Sequence, residues 1–268
     1  MRIRIRHETS YRYATPPTRV IQTLRKMPRD HAGQTVISWH IDIDQTARMT
    51  KAEDAFGNIT HTFTVENCDS LTILAEGEIQ TENFDGVIAG AVERFAPALY
   101  LRETPLTEPD AALAAFADEV AAAAGPDRLR RLHELMAAIH RDVAFDTAPT
   151  DASTTAAQAF AMKRGVCQDL THVFLAAARH MGSPARYVSG YFRRGDDVDD
   201  QEASHAWAEA YVDDLGWVSF DPANGICATA AHVRVAVGLD YLNAAPIRGS
   251  RYGGEAEHLH VALSVTDQ

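Results

Sequence analysis

The chain has 268 residues, 46% of them hydrophobic and 23% charged, and a net charge of −12. These proportions fit a globular protein long enough for one large core or two modest ones, and they exclude disorder on a large scale. The acidic balance argues against a nucleic-acid partner, which needs a concentrated basic surface. No run approaches the about eighteen uncharged apolar residues of a membrane-spanning helix.

The first segment, "MRIRIRHETSYRY", alternates Arg2, Arg4 and Arg6 with Ile3 and Ile5, so its basic residues read as the wet face of a strand. It lacks the apolar core of a signal peptide, which makes a cytoplasmic location the expectation. "WHIDID" alternates Trp39, Ile41 and Ile43 with polar residues, "AFGN" supplies a turn at Gly57 and Asn58, and "NITHTFTVE" and "LTILAEGEIQTE" add two more strands. Residues 1–95 therefore read as an all-β domain, most simply an antiparallel β-sandwich. Prolines in 96–108 mark a linker.

Helix signals begin past the linker. Thr107 or Asp110 can cap a first helix that Gly125 and Pro126 end; Leu129, Leu132, Leu135, Met136 and Ile139 space a second over about 127–141. Thr155 with Gln158 three residues on makes a capping box. In "RGVCQDLTHVFLAAARHMG" the apolar residues Leu170, Val173, Phe174, Ala177, Ala178 and Met181 predict a helix with one buried face. Strands follow in "ARYVSGYF", "SHAWAEAYV" and "WVSFDP", and a last one in "HLHVALSV". Helices first and strands second give an α+β domain over 109–232, with 233–268 as a C-terminal extension ending in a strand.

Cys167 stands at the start of its helix, where unpaired N–H groups and the helix dipole stabilise an anion and favour thiolate. A thiolate nucleophile needs a base, and the base needs a third group to orient its ring. His205 and Asp221 follow on strands that form a hairpin. If Val212 faced Trp217, Asp221 would point away from His205; with Asp221 opposite Trp207 the two share a face. That register requires an odd-length turn at "DDLG", and Gly216 suits the left-handed position of such a turn.

The oxyanion of an acyl transfer needs donors. The Cys167 N–H is one, and Gln168 is a candidate for the second, with support of the first helical turn as its rival role. Trp207 and Tyr211 share the His205 face under strict alternation, either as walls of a substrate cleft or as plain core. Asp169 complements the helix dipole, and His172 and His180 read as surface or structural residues. The three cysteines, Cys68, Cys167 and Cys227, fit no disulfide framework, and no CxxC or HExxH pair supports a zinc site.

"RGVCQDL", "SHAWAEAYVDDLGWVSFDPANG" and "ARYVSGY" resemble the core motifs of the transglutaminase-like superfamily, in a bacterial branch described as cysteine proteases. The N-terminal segment with "DAFGN" and the tail "HVRVAVGLDYLNAAPIRGSRYGG" resemble the flanks of the same branch. The resemblance implies a papain-like transglutaminase core in which Cys167 is the nucleophile, His205 the general base and acid, and Asp221 the residue that orients His205. It leaves the acyl acceptor open. Hydrolysis of a peptide or protein substrate, as by a protease or amidase without a cofactor, is the expected activity, and transfer to an amine is the alternative. A peptide-binding scaffold without catalysis is the reading from another class. The acidic residues Asp196, Asp197, Asp199 and Asp200 offer oxygen ligands but lack the spacing of a calcium loop, so no metal is expected. The same loop either favours a basic substrate or is merely solvated.

Overall fold

A computed structural model describes residues 1–147, 150–196, 199–201 and 203–267. Seven strands come first: β1 (Arg2–Tyr13), β2 (Arg19–Met27), β3 (Gln34–Ile43), β4 (Thr50–Glu53), β5 (Ile59–Val65), β6 (Ser70–Thr81) and the short β7 (Val87–Ile88). A single 3-10 turn at Pro97–Leu101 leads to α1 (Ala111–Ala124), α2 (Arg128–Asp142), β8 (Ala144–Phe145), α3 (Ala156–Met162), β9 (Arg164–Gly165) and α4 (Cys167–His180). The chain then runs through β10 (Ala185–Phe192), β11 (Asp200–Gln201), β12 (His205–Val212), β13 (Gly216–Phe220) and β14 (His232–Gly238). It closes with α5 (Tyr241–Ala244), β15 (Ile247–Tyr252) and β16 (Glu257–Asp267). The architecture mixes helices with extensive antiparallel sheet.

Three sheets carry the fold, in the orders β11-β16-β1-β6-β3, β15-β2-β5-β4 and β14-β10-β12-β13-β7. The alternation in β1 is literal: Arg2, Arg4 and Arg6 are exposed, while Ile3 and Ile5 are fully buried. At one end of this strand Ile3 and Ile5 pack with Tyr191 of β10 and Val233 and Val235 of β14. At the other end Tyr11 and Tyr13 join Val20 and Leu24 of β2 and Phe63 and Val65 of β5. One face of the first sheet thus covers both other sheets. Pairing closes the chain on itself, since β16 lies along β1 from Ile3 to Tyr13 and β15 lies along β2.

Two side-chain amides fasten β14 to the N-terminal strands. Asn58 bonds both the N–H and the carbonyl of Val237, and Gln34 does the same for Arg234. The expected "AFGN" turn explains how Asn58 gets there: Gly57 takes φ +84°, and Asp54 accepts the N–H groups of Phe56 and Asn58.

The helix caps follow the sequence. Asp110 accepts the Leu113 N–H, Gly125 ends α1 with φ +82°, and Thr155 and Gln158 form the capping box of α3. The expectation of one buried face on α4 needs correction. Thr171, His172, Leu175 and Ala176 are as buried as the predicted stripe, because α1, α2 and α3 pack on one side of α4 while β10 and β12 pack on the other. The run Ala176–Ala178 lets both layers approach closely. No helix among the described residues is long and apolar enough to cross a membrane.

Candidate active site

Cys167 is the first residue of α4, after Val166 as the cap, so its own N–H is among those without an intrahelical partner. The turn is held from both sides. The Asp169 carboxylate accepts the Val166 N–H at 2.9 Å, and the Thr171 hydroxyl donates to the Cys167 carbonyl at 2.7 Å. Gly165 is required here by space: a Cβ would lie 2.7 Å from both Cβ and Oδ2 of Asp169. Asp169 thus anchors the turn as well as complementing the dipole.

The hairpin register is the one that the triad demands. Val212 pairs with Gly216, Tyr211 with Trp217 and Ala208 with Phe220, which brings Asp221 opposite Trp207. Residues 213–215 form a three-residue loop, with Asp214 at φ +67° inside it and Gly216 at φ +84° directly after it. His205 and Asp221 therefore meet, with Nε2 of the ring donating to Oδ2 of the carboxylate at 2.6 Å. Since a carboxylate only accepts, this bond leaves the other ring nitrogen for Cys167, which stands close enough to His205 to help raise its pKa.

Electrostatics follow from burial and pairing. Burial alone would lower the His205 pKa, but the Asp221 charge, its hydrogen bond and the contact with Cys167 raise it to about 10. Burial would raise Asp221, and the His205 charge together with donors from His205 and His232 holds it far below the usual carboxylate range instead.

Asp221 is fully buried and saturated with donors. Its Oδ2 also receives Asn224 Nδ2 at 2.7 Å and His232 Nε2 at 3.1 Å, while Oδ1 receives the N–H groups of Ala223 and Asn224. His232 and Asn224 are site residues that sequence reasoning missed. The ring of His232 accepts the Thr229 N–H through Nδ1, so its proton sits on Nε2 and points at Asp221. Burial keeps His232 below the ordinary histidine value despite that bond.

Cys167 and His205 open into a cleft of about 980 Å³. Gln168 lines it, as the oxyanion reading requires. The cleft reading of Trp207 and Tyr211 needs correction, because neither lines this space. Trp207 is 1% exposed and stacks behind His205 at 6.0 Å, with His232 edge-on at 5.2 Å. Tyr211, further along the strand, packs edge-on against Trp217. Alternation correctly assigns the shared face, yet of β12 only the first two residues, His205 and Ala206, reach the cleft.

Other singled-out residues are structural. His172 is fully buried, accepts the Tyr241 N–H and is lowered to about 3 by burial. His180 meets Asp118 at the surface. Burial raises the thiols of Cys68 and Cys227. Of the acidic loop, Asp197 lies outside the described residues; Asp196 is bonded by Arg194, and Asp199 stands near Arg193.

Among the described residues, His205, Asp221 and His232 bring three possible metal ligands within 4.8 Å of one another. Their ring nitrogens already donate to the carboxylate, and the Thr229 contact fixes the His232 proton on the nitrogen that a metal would need. The donor set suits proton handling better than coordination.

Residues 114–222 match the family described as "Transglutaminase-like superfamily", and residues 3–80 match "Bacterial transglutaminase-like N-terminal region". The chain is a transglutaminase-like superfamily protein. It is 29% identical to an uncharacterized protein of Mycobacterium leprae over 282 aligned residues, covering 99% of this chain and 98% of that one. An uncharacterized protein of Mycobacterium tuberculosis is 27% identical, with 94% and 88% covered. The same fold occurs in the crystal structure described as "a Putative Cysteine Protease from Cytophaga hutchinsonii", at TM-score 0.80 and 17% identity, covering 100% of this chain and 91% of that one. Transglutaminase-like proteins share a core, not one reaction, so the residues above have to carry the functional argument.

Proposed function

We propose that this transglutaminase-like protein is a cysteine-dependent acyl-transfer enzyme that cleaves an amide bond in a peptide or protein. The observation that carries the reading is the placement of Cys167 and His205 together in one cleft, with His205 hydrogen-bonded to the buried Asp221. In this reaction the proton resides on His205, whose raised pKa holds it there, and the Cys167 sulfur attacks the amide carbonyl carbon as a thiolate. The C–N bond then breaks, His205 returns the proton to the leaving amine, and a thioester remains on Cys167. Water attacks the thioester, again through His205, and releases a carboxylic acid and the free thiol. The Cys167 N–H and Gln168 are the candidate donors to the oxyanion in both halves. Asp221 holds the ring in the tautomer that serves the sulfur. The N-terminal strands, read as a β-sandwich-like domain, wall the cleft with side chains of β1 and β2.

The first test is site-resolved alkylation by iodoacetamide from about pH 5 to about pH 9, the range in which thiols and imidazoles titrate. Cys167 is expected to react ahead of Cys68 and Cys227 at the acid end, and His205→Ala to remove that lead. An accessible Cys167 that reacts no faster than the other two would overturn the proposal and favour a peptide-binding scaffold. Peptide turnover with and without an added amine then separates hydrolysis, the preferred outcome, from amine transfer.

A further inference from the structure

The cleft has a second wall, and its chemistry is unlike that of the triad. The inward face of β1 contributes His7, Thr9 and Tyr11 to the lining, and β2 contributes Lys26. In β2 the residues Val20, Gln22, Leu24 and Lys26 share the buried face, so this lysine occupies a core position of a strand. It is 1% exposed, and its ammonium donates to the Thr9 hydroxyl at 2.8 Å. No carboxylate among the described residues pairs with it, and burial alone accounts for the fall of its pKa to about 7. His7 next to it cannot supply a countercharge. Burial and the Lys26 charge keep that ring neutral, and it is bonded to the Tyr191 hydroxyl and close to Thr9.

An ammonium buried without a counter-ion is costly, and an anion placed against it recovers much of that cost. Thr9 occupies one of three N–H donors on Lys26, which leaves the others for a ligand. The charged residues Arg194, Asp196 and Asp200 also line the cleft, but they lie at its exposed part, and Arg194 is engaged by Asp196. Apart from His205, whose charge is paired with Asp221, the buried part of the lining thus holds one cation and no acid.

We infer that Lys26, with Thr9 beside it, is the carboxylate receptor of the cleft, so that the acyl-enzyme substrate is a peptide amide bearing a free carboxylate at a fixed distance from the scissile bond. The inference rests on the acyl-transfer reading of Cys167 and deepens it. The negative charge of the whole chain makes the placement informative, because a general attraction for anions is absent and selectivity comes from this one buried donor.

Two probe series on the full chain test it. ω-Maleimido carboxylic acids of increasing length, each beside its primary amide, report alkylation at Cys167 by peptide mass spectrometry. At one or two lengths the acid is expected to react about tenfold faster than its amide, as a charge-assisted contact permits, with the ratio falling to about one in Lys26→Met. In parallel, ω-acetamido carboxylates and their amides are added to Cys167→Ala, and the thermal midpoint is read. Acids of matching length are expected to raise it, and amides are not.

Equal rates for acids and amides at every length, with Cys167 reactive, overturn the carboxylate receptor and leave acyl transfer standing. An acid preference that survives in Lys26→Met overturns it too. If Cys167 is inert to both series while acids alone still stabilise Cys167→Ala, the receptor stands and the acyl-transfer reading falls.

Discussion

Replacing Asp221 with asparagine conserves shape to within one atom, and the structure predicts that this fold cannot absorb it. Three side-chain donors converge on Oδ2, from His205, Asn224 and His232, and two backbone N–H groups converge on Oδ1. An asparagine must turn its NH₂ toward one set or the other. Facing the backbone pair, it opposes two donors that cannot reorient. Facing the side chains, it opposes the Nε2 proton of His232, which the Thr229 contact fixes in place, and forces His205 into the tautomer that offers Cys167 a proton instead of a lone pair.

Two buried donors left without acceptors cost about 1–3 kcal/mol each, so Asp221→Asn is expected to lose about 2–6 kcal/mol. That is a large part of a typical stability of about 5–15 kcal/mol. Urea unfolding at a series of pH values measures it. The sign differs at the two ends. A depressed Asp221 contributes stability above the unfolded carboxyl value of about 3.9, lost as pH falls through its lower folded value. A raised His205 contributes fully below about 6.5 and loses its share as pH rises toward about 10. The gap between wild type and variant is therefore widest between about pH 4 and about pH 6.5 and narrows toward alkaline pH. A variant within about 0.5 kcal/mol of wild type, with the same pH profile, refutes the accounting of donors.

Two further substitutions probe the frame around the site. Gly165→Ala drives a methyl group into Asp169 and is expected to cost about 1–3 kcal/mol and to slow alkylation of Cys167, since the helix start must shift; calorimetry and the iodoacetamide rate read the two effects. Glu209→Ala removes the buried carboxylate that accepts from Arg186 and Arg234, leaves the fully buried Arg186 with Glu93 as its remaining carboxylate while Arg234 loses the one it pairs with, and is expected to cost about 3–5 kcal/mol in urea unfolding.

Much of the site was legible because its determinants are local. The cap position of Cys167, the capping box at Thr155 and the glycine of the β12–β13 loop each act over a few residues, and register within a tight hairpin follows from loop length. His232 and Lys26 were not legible. A histidine in "AHVRV" and a lysine in "RVIQTLRKM" acquire meaning only from residues far along the chain, Asp221 for one and Thr9 for the other. Alternation in β12 gives the face of Trp207 without telling that the strand leaves the cleft after Ala206. For α4, spacing shows the stronger apolar stripe, but helices and sheet enclose it from both sides. The partners of β15 and β16 likewise carry no local signal, since antiparallel pairing over such sequence separations depends on the whole fold.

That pairing has a consequence for synthesis. β1 emerges from the ribosome early, and its neighbour β16 emerges after every other described element. Throughout translation one edge of β1 stays open, and the strand that brings His7 and Thr9 to the cleft lacks its flanking partner. Contacts this distant in sequence form slowly, and an open apolar edge invites association with other nascent chains. A polypeptide interrupted before residue 257 therefore presents an aggregation-prone edge, and the finished cleft is a property of the completed strand order.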